Sequence, residues 1–241
     1  MNEAVVWLDD GSPHSPRFND RYRSRTGGLA QAASVFLAGC GLPQRWRDRT
    51  QFTVLETGFG LGLNFLTTWA AWEGDAQRCE HLHFVSVEAY PVAATDIVRN
   101  AQAPTPASEA DAQLSARVQV LAQELARAWQ DLTPGIHTLR FAQGQVQLTL
   151  AVGDVQATLK SLACVADAVY LDGFSPVLNP EMWSSTTLQD VARLCRPGTT
   201  LASYSVALSV RDDLKQFGFS VKKCPGLPPK RHRLQAVYSP P

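Results

Sequence analysis

An open α/β sheet, mostly parallel, seven-stranded and covered by helices on both faces, is the architecture this sequence predicts, and three observations predict it. Residues 52–72 read as a buried strand, a glycine loop and a helix: Phe52, Val54 and Leu55 are apolar and β-prone, and Leu63, Leu66, Trp69 and Ala70 recur at helical spacing. Residues 81–88 read as a second strand that ends on an acid. Strand-like and helix-like runs then alternate through 166–171, 188–194, 200–205 and 211–217, the pattern of crossover connections. With 241 residues, 45% of them hydrophobic, the chain is long enough for one large domain with its own core. We expect residues 51–241 to form that domain and residues 1–50 a small extension packed on it.

The loop is the most informative stretch. Its glycines fall as Glu56-x-Gly58-x-Gly60-x-Gly62, not as the G-x-G-x-x-G of dinucleotide folds. Glycine there admits positive φ and lets backbone approach a ligand, and Asn64 is the expected cap of the following helix. Glu56 would repel a pyrophosphate, but it suits S-adenosylmethionine, whose amino group and sulfonium are cationic. The pattern resembles motif I of Rossmann-like class I methyltransferases and speaks against a nicotinamide oxidoreductase.

Upstream, Trp7 to Pro13 carries a turn signal, and Arg17, Phe18, Arg21, Tyr22, Arg23 and Arg25 interleave cations with aromatics. Such a segment either grips phosphate and stacks on bases or is a solvated surface strip. Residues 28–37 read as a helix. Downstream, Glu88 ends the second strand where an acid can accept from both ribose hydroxyls. His81 and His83 lie at strand spacing with no third ligand nearby, so no metal is expected. Residues 91–135 read as helical connection broken by Pro104 and Pro106, and 137–152 as a hairpin whose second strand ends at Gly153-Asp154. In the methyltransferase arrangement an acid such as Asp154 meets the adenine amino group, although Gly-Asp is also a common turn.

The fourth strand, 166–171, empties into Asp172-Gly173-Phe174-Ser175-Pro176, a loop that lies over the cofactor in an open sheet. Its order is similar to the acid-Pro-Pro-aromatic loop of amine-directed methyltransferases, where the acid receives the target nitrogen and the aromatic stacks on the base. Arg196-Pro197-Gly198 should close the helix before strand five. The final hairpin gathers Lys222, Lys223, Lys230, Arg231 and Arg233.

Composition narrows the classes. A formal net charge of 0 gives no global basic field, so a nucleic-acid partner must be met by a local patch. Five scattered cysteines without a C-x-x-C pair argue for reduced thiols. No signal peptide or membrane-length run is visible, which leads to the expectation of a cytoplasmic protein without a membrane partner.

Taken together, Glu-Thr-Gly-Phe-Gly-Leu-Gly-Leu-Asn, Val-Ser-Val-Glu-Ala-Tyr-Pro, Val-Gly-Asp and Leu-Asp-Gly-Phe-Ser-Pro resemble the methyltransferase half of the MnmC family, over nearly the whole chain. The resemblance implies S-adenosylmethionine as cofactor and methylation of 5-aminomethyl-2-thiouridine at the tRNA wobble position. It implies Asp172 and Phe174 as the catalytic pair, and Glu56, Gly58, Gly60, Gly62, Asn64, Glu88 and Asp154 around the cofactor. Contacts to tRNA are expected from Arg21, Tyr22, Arg23, Pro176, Lys230, Arg231 and Arg233. Nothing follows Pro241 and no second glycine fingerprint occurs, so we expect a stand-alone methylating form, with the family's FAD-dependent oxidase step supplied by a separate protein. The family's glycine-rich basic run is replaced here by Gly226-Leu-Pro-Pro-Lys-Arg-His-Arg. The alternative is a class I methyltransferase acting on a small-molecule amine or another RNA.

Overall fold

The computed structural model describes residues 3–23, 27–102, 108–130, 132–228 and 230–240. Arg25, Pro104, Pro106 and Pro229 lie outside the described residues. The chain opens with three short antiparallel strands, β1 (Val6–Trp7), β2 (Pro13–Ser15) and β3 (Asp20–Arg21). The Trp7 indole donates to Asp96 Oδ1 at 2.8 Å and holds this ribbon against the main body. Helix α1 (Gly28–Gln31) continues as a π-helical turn over Ala32–Leu37, so the expected helix is present but widens after one turn.

The main sheet is built from β4 (Gln51–Glu56), β5 (His81–Glu88), β6 (Gly135–Phe141), β7 (Val146–Val152), β8 (Ala166–Tyr170), β9 (Cys195–Ser203), β10 (Phe219–Pro225) and β11 (His232–Tyr238). Their order is β10-β11-β9-β8-β4-β5-β7-β6. Strands β9, β8, β4, β5 and β7 run parallel, and the two edges are antiparallel. Among the described residues that makes eight strands rather than the expected seven, because the first arm of the 137–152 hairpin, expected outside the sheet, pairs with β7 along its whole length and forms the sheet edge. Helices α2 (Leu63–Gly74), α3 (Ala94–Ala101), α4 (Glu109–Ala128), α5 (Val155–Ser161), α6 (Ser185–Arg193) and α7 (Leu208–Gln216) supply the crossovers. Arg196, Pro197 and Gly198 do not stop α6. They lie inside β9, where its register against β8 shifts between Ala166 and Ala168.

Period-two alternation divides the core between the two faces of the sheet. Val54, Phe84 and Ala168 pack on one side with Phe65, Trp69 and Leu121. Their neighbours Leu55, Val85 and Val169 pack on the other with Leu188, Val191 and Leu214. Helix α2 buries Phe65, Leu66, Trp69, Ala70 and Trp72 because the sheet covers one side and α4 and the π-helical turn cover others. Phe65 is fully buried, so its truncation to Ala would cost about 3–5 kcal/mol.

This topology fixes where a ligand can sit. From β4 the chain adds β5, then the edge strand β6, then β7 in the place between them, and returns to add β8 on the other side of β4. The loops leaving β4 and β8 therefore diverge and open a crevice at the carboxyl ends of the parallel strands.

Candidate active site

The crevice holds about 900 Å³ of space, open solvent at its mouth included. Its floor is the glycine loop. Gly58, Gly60 and Asn64 line it, Gly60 takes φ +54°, and a Cβ on Gly58 would meet the Asp172 carbonyl oxygen at 3.1 Å. Gly62 (φ +72°) is the residue that opens α2. Asn64 is not the cap expected from the sequence. It lies inside the first turn of α2, where its Nδ2 donates to Glu56 Oε1 at 2.9 Å and to Asp172 Oδ2 at 2.8 Å. One side-chain amide thus spends both hydrogens on two carboxyl groups.

Glu56 is fully buried, outside the cavity lining, and its other oxygen accepts from the Ser86 hydroxyl at 2.7 Å. Burial pushes its carboxyl up to about 8, and the neighbouring Asp172 adds to the shift, so near neutrality it holds a proton much of the time. The sequence placed Glu56 against the cofactor. The structure instead puts it beneath the loop, reaching the cavity through Asn64. Glu88 is on the wall, as its place at the end of β5 led us to expect. Its Oε2 accepts from the Gly60 amide at 2.7 Å and its Oε1 from the Tyr90 amide at 2.8 Å, while burial moves it above the usual carboxylate range. Asp154 is the N-cap of α5, with Oδ1 accepting from the amides of Gln156 and Ala157, and it is not among the lining residues. Its turn adjoins Glu88, since the Gly153 amide donates to the Glu88 carbonyl at 3.0 Å.

Asp172 follows β8 directly and faces the cavity. Oδ1 accepts from the Gly173 amide at 2.9 Å and Oδ2 from Asn64. The Thr57 hydroxyl bonds both ends of its backbone, donating to the carbonyl at 2.7 Å and accepting from the amide at 3.1 Å. Burial is the largest influence on its carboxyl and raises it to about 6, against the lowering effect of the Gly173 amide, Asn64 and the Lys230 charge. Phe174 also lines the cavity. It stacks on Phe18 at 4.6 Å between ring centroids and meets the edge of Tyr22 at 5.0 Å. The Ser175 amide donates to Asp20 Oδ2 at 2.9 Å, which fastens the N-terminal ribbon across the same loop.

The arginines expected to touch RNA divide. Arg21 lines the cavity, but its guanidinium is paired with Asp10 at 2.7 Å and bonds Ser12. Arg23 donates to Asn100 Oδ1 at 2.9 Å. Arg233 bonds the carbonyl and hydroxyl of Ser34, so it ties β11 to the π-helical turn and is spent within the fold. Arg231 is exposed, and Pro176 is half-buried outside the cavity lining. Lys230 sits with Nζ 3.5 Å from the centre of the Tyr204 ring. Sequence reasoning missed Tyr204, whose hydroxyl donates to the Gly173 carbonyl at 2.7 Å, and Asn179 and Met182, which line the cavity. An aromatic at the carboxyl end of the strand next to β8 was the available signal for Tyr204.

A glycine floor that admits backbone contact, flanked by the acids Glu88 and Asp172, fits a cationic nucleoside donor. Among the described residues no group of three or more His, Cys, Asp or Glu side chains could hold a metal ion, and no helix is long and apolar enough to cross a membrane.

Comparison with known proteins gives this geometry its class. A family profile described as S-adenosyl-L-methionine-dependent methyltransferase matches residues 116–239, just over half of the chain. The chain is 55% identical over 240 residues to the tRNA 5-methylaminomethyl-2-thiouridine biosynthesis bifunctional protein MnmC of Acidovorax sp. (strain JS42). It is 48% identical over 237 residues to the protein of the same name from Paraburkholderia phymatum. These alignments cover 100% and 98% of this chain but 36% and 35% of the relatives, so it spans about a third of their length. Among solved structures, MnmC2 from Aquifex aeolicus shares the fold, with a TM-score of 0.73 at 22% identity, covering 100% of this chain and 72% of that one. The chain belongs to the S-adenosyl-L-methionine-dependent methyltransferase family. Within that family it corresponds to the methyltransferase part of the MnmC proteins.

Proposed function

We propose that this enzyme methylates the amine of 5-aminomethyl-2-thiouridine at the wobble position of tRNA, giving 5-methylaminomethyl-2-thiouridine. The observation that carries the reading is Asp172, a carboxylate clamped by Asn64 and the Gly173 amide at the rim of the donor cavity beside the Phe18, Phe174 and Tyr22 rings. The printed name of the relatives points to the same substrate.

S-adenosylmethionine, when bound, supplies an electrophilic methyl group on a cationic sulfur. The chain's residues do the rest. The backbone of Gly58, Gly60 and Gly62 gives close approach, Glu88 accepts from the ribose hydroxyls, and Asp154, on the adjoining turn, receives the adenine amino group. A methyl-accepting amine must be neutral. If it titrated like lysine, near ~10.4, freeing its lone pair at pH 7 would cost roughly 4–5 kcal/mol. Asp172 accepts from that nitrogen, orients it and takes its proton. A carboxyl raised to about 6 is better matched to the task than an ordinary aspartate. Phe174 packs on the uridine, the N-terminal extension packs on the core with Phe18 and Asp20 against the loop that carries Phe174, and the exposed Arg231 meets phosphate. A FAD-dependent oxidase acting upstream supplies the amine.

The test is incubation with S-adenosylmethionine and tRNA carrying the aminomethyl nucleoside, read by nucleoside mass spectrometry. Conversion to the methylaminomethyl nucleoside supports the proposal. Methylation of a small-molecule amine with none of this tRNA would replace it.

A further inference from the structure

Two aromatic donors grip consecutive carbonyls of the loop that bears Asp172. The Tyr204 hydroxyl donates to Gly173 at 2.7 Å and the Trp183 indole donates to Phe174 at 2.7 Å. The two rings meet edge to face at 5.8 Å and 81°. The backbone they hold is an unusual one. Gly173 takes φ +153°, and a Cβ there would meet Met182 Cγ at 2.8 Å, so this position takes no side chain without displacing Met182. Over the outer face of Tyr204 lies Lys230, Nζ 3.5 Å from the ring centre, contributed by the segment between β10 and β11. Lys230 is an exposed residue whose ammonium is attracted to the ring face, which holds that segment against Tyr204.

We infer that Tyr204 is a positioning residue for methyl transfer, its hydroxyl fixing the Gly173 carbonyl so that the Asp172 carboxylate points at the incoming amine, with Lys230 as the cation that seats the ring. The inference rests on the proposed role of Asp172. The electrostatics agree with the geometry. Asp172 and Asp20 attract the Lys230 charge, while burial pulls that ammonium below the usual lysine range. Other ionisable groups lie around the same space: Glu3 and Glu88 on the wall, Arg21, Tyr22 and Arg23 from the N-terminal segment, Asp20 on the Ser175 amide, and Glu56 beneath the floor, joined to Asp172 through Asn64.

The test uses the full chain with S-adenosylmethionine and aminomethyl-bearing tRNA, and compares Tyr204→Phe, Lys230→Met, Lys230→Arg and Asp172→Asn. Tyr204→Phe keeps the ring and its contacts and loses one hydrogen bond. We expect kcat to fall about 10- to 100-fold, the scale of a misplaced catalytic group, with KM for S-adenosylmethionine within about twofold of the parent. Lys230→Met, which leaves the ring without its cation, should lower kcat several-fold in the same sense, and Lys230→Arg should restore it. A Tyr204→Phe enzyme with parental kcat overturns the inference, as does a Lys230→Met enzyme with parental kcat. If Asp172→Asn itself stays active, the proposed function fails first and the pair loses its purpose. An inactive Asp172→Asn beside unaffected Tyr204 and Lys230 variants would sink the positioning pair alone.

Discussion

Asn64 and Asp172 are joined by a 2.8 Å hydrogen bond between segments 108 residues apart in sequence, which ties the floor of the cavity to its rim. Removing either partner should therefore be felt at the reaction and not only in the fold.

Asp172→Asn is expected to reduce turnover by about 10²- to 10⁴-fold, the range of a lost general base, while S-adenosylmethionine binding stays within a few-fold of the parent. Single-turnover methylation and calorimetric titration measure the two quantities separately. Parental turnover would refute the role given to this carboxylate.

The same group sets a pH dependence. Its carboxyl is raised to about 6, so it is protonated and unable to accept from the amine below that value and ionised above it. We expect kcat to climb with pH through an apparent value near 6, measured with saturating substrates.

Stability should respond in the opposite sense. Glu56 is raised from 4.5 to about 8 by burial, and a group raised in the folded state contributes stability below its unfolded value that is lost as pH climbs through its folded one. The loss falls between roughly pH 4.5 and 8, with a slope of at most about 1.4 kcal/mol per pH unit for this one group. Glu56→Gln should flatten that part of a melting-temperature profile, and an unchanged profile would show that Glu56 does not titrate there.

Arg231 and Arg233 are two residues apart and should behave differently. Arg231→Ala, at an exposed side chain, is expected to lower the salt dependence of tRNA binding by about one charge without shifting the melting temperature. Arg233→Ala breaks the bonds to Ser34 and should lower the melting temperature instead. Filter binding across a salt series together with thermal unfolding separates them.

How legible all this was depended on whether a signal was local. The spacing Glu56-x-Gly58-x-Gly60-x-Gly62 and the placement of Glu88 and Asp172 at strand ends are properties of short segments, and they located the crevice. What the sequence left hidden depends on distant partners. Asn64 reads as a cap because Asn is a good one, yet Gly62 takes that position and Asp172 claims the amide. Arg233 and Arg21 look like phosphate ligands until Ser34 and Asp10 are brought beside them. Tyr204 is one of several aromatics in apolar runs, and its value appears only when β9 lies beside β8.

That β4 and β8 are hydrogen-bonded neighbours has a further consequence. The segment that would cradle the donor and the one that would receive the acceptor spring from strands roughly 4.8 Å apart, so the span between the two reactants is dictated by the pitch of the backbone lattice itself.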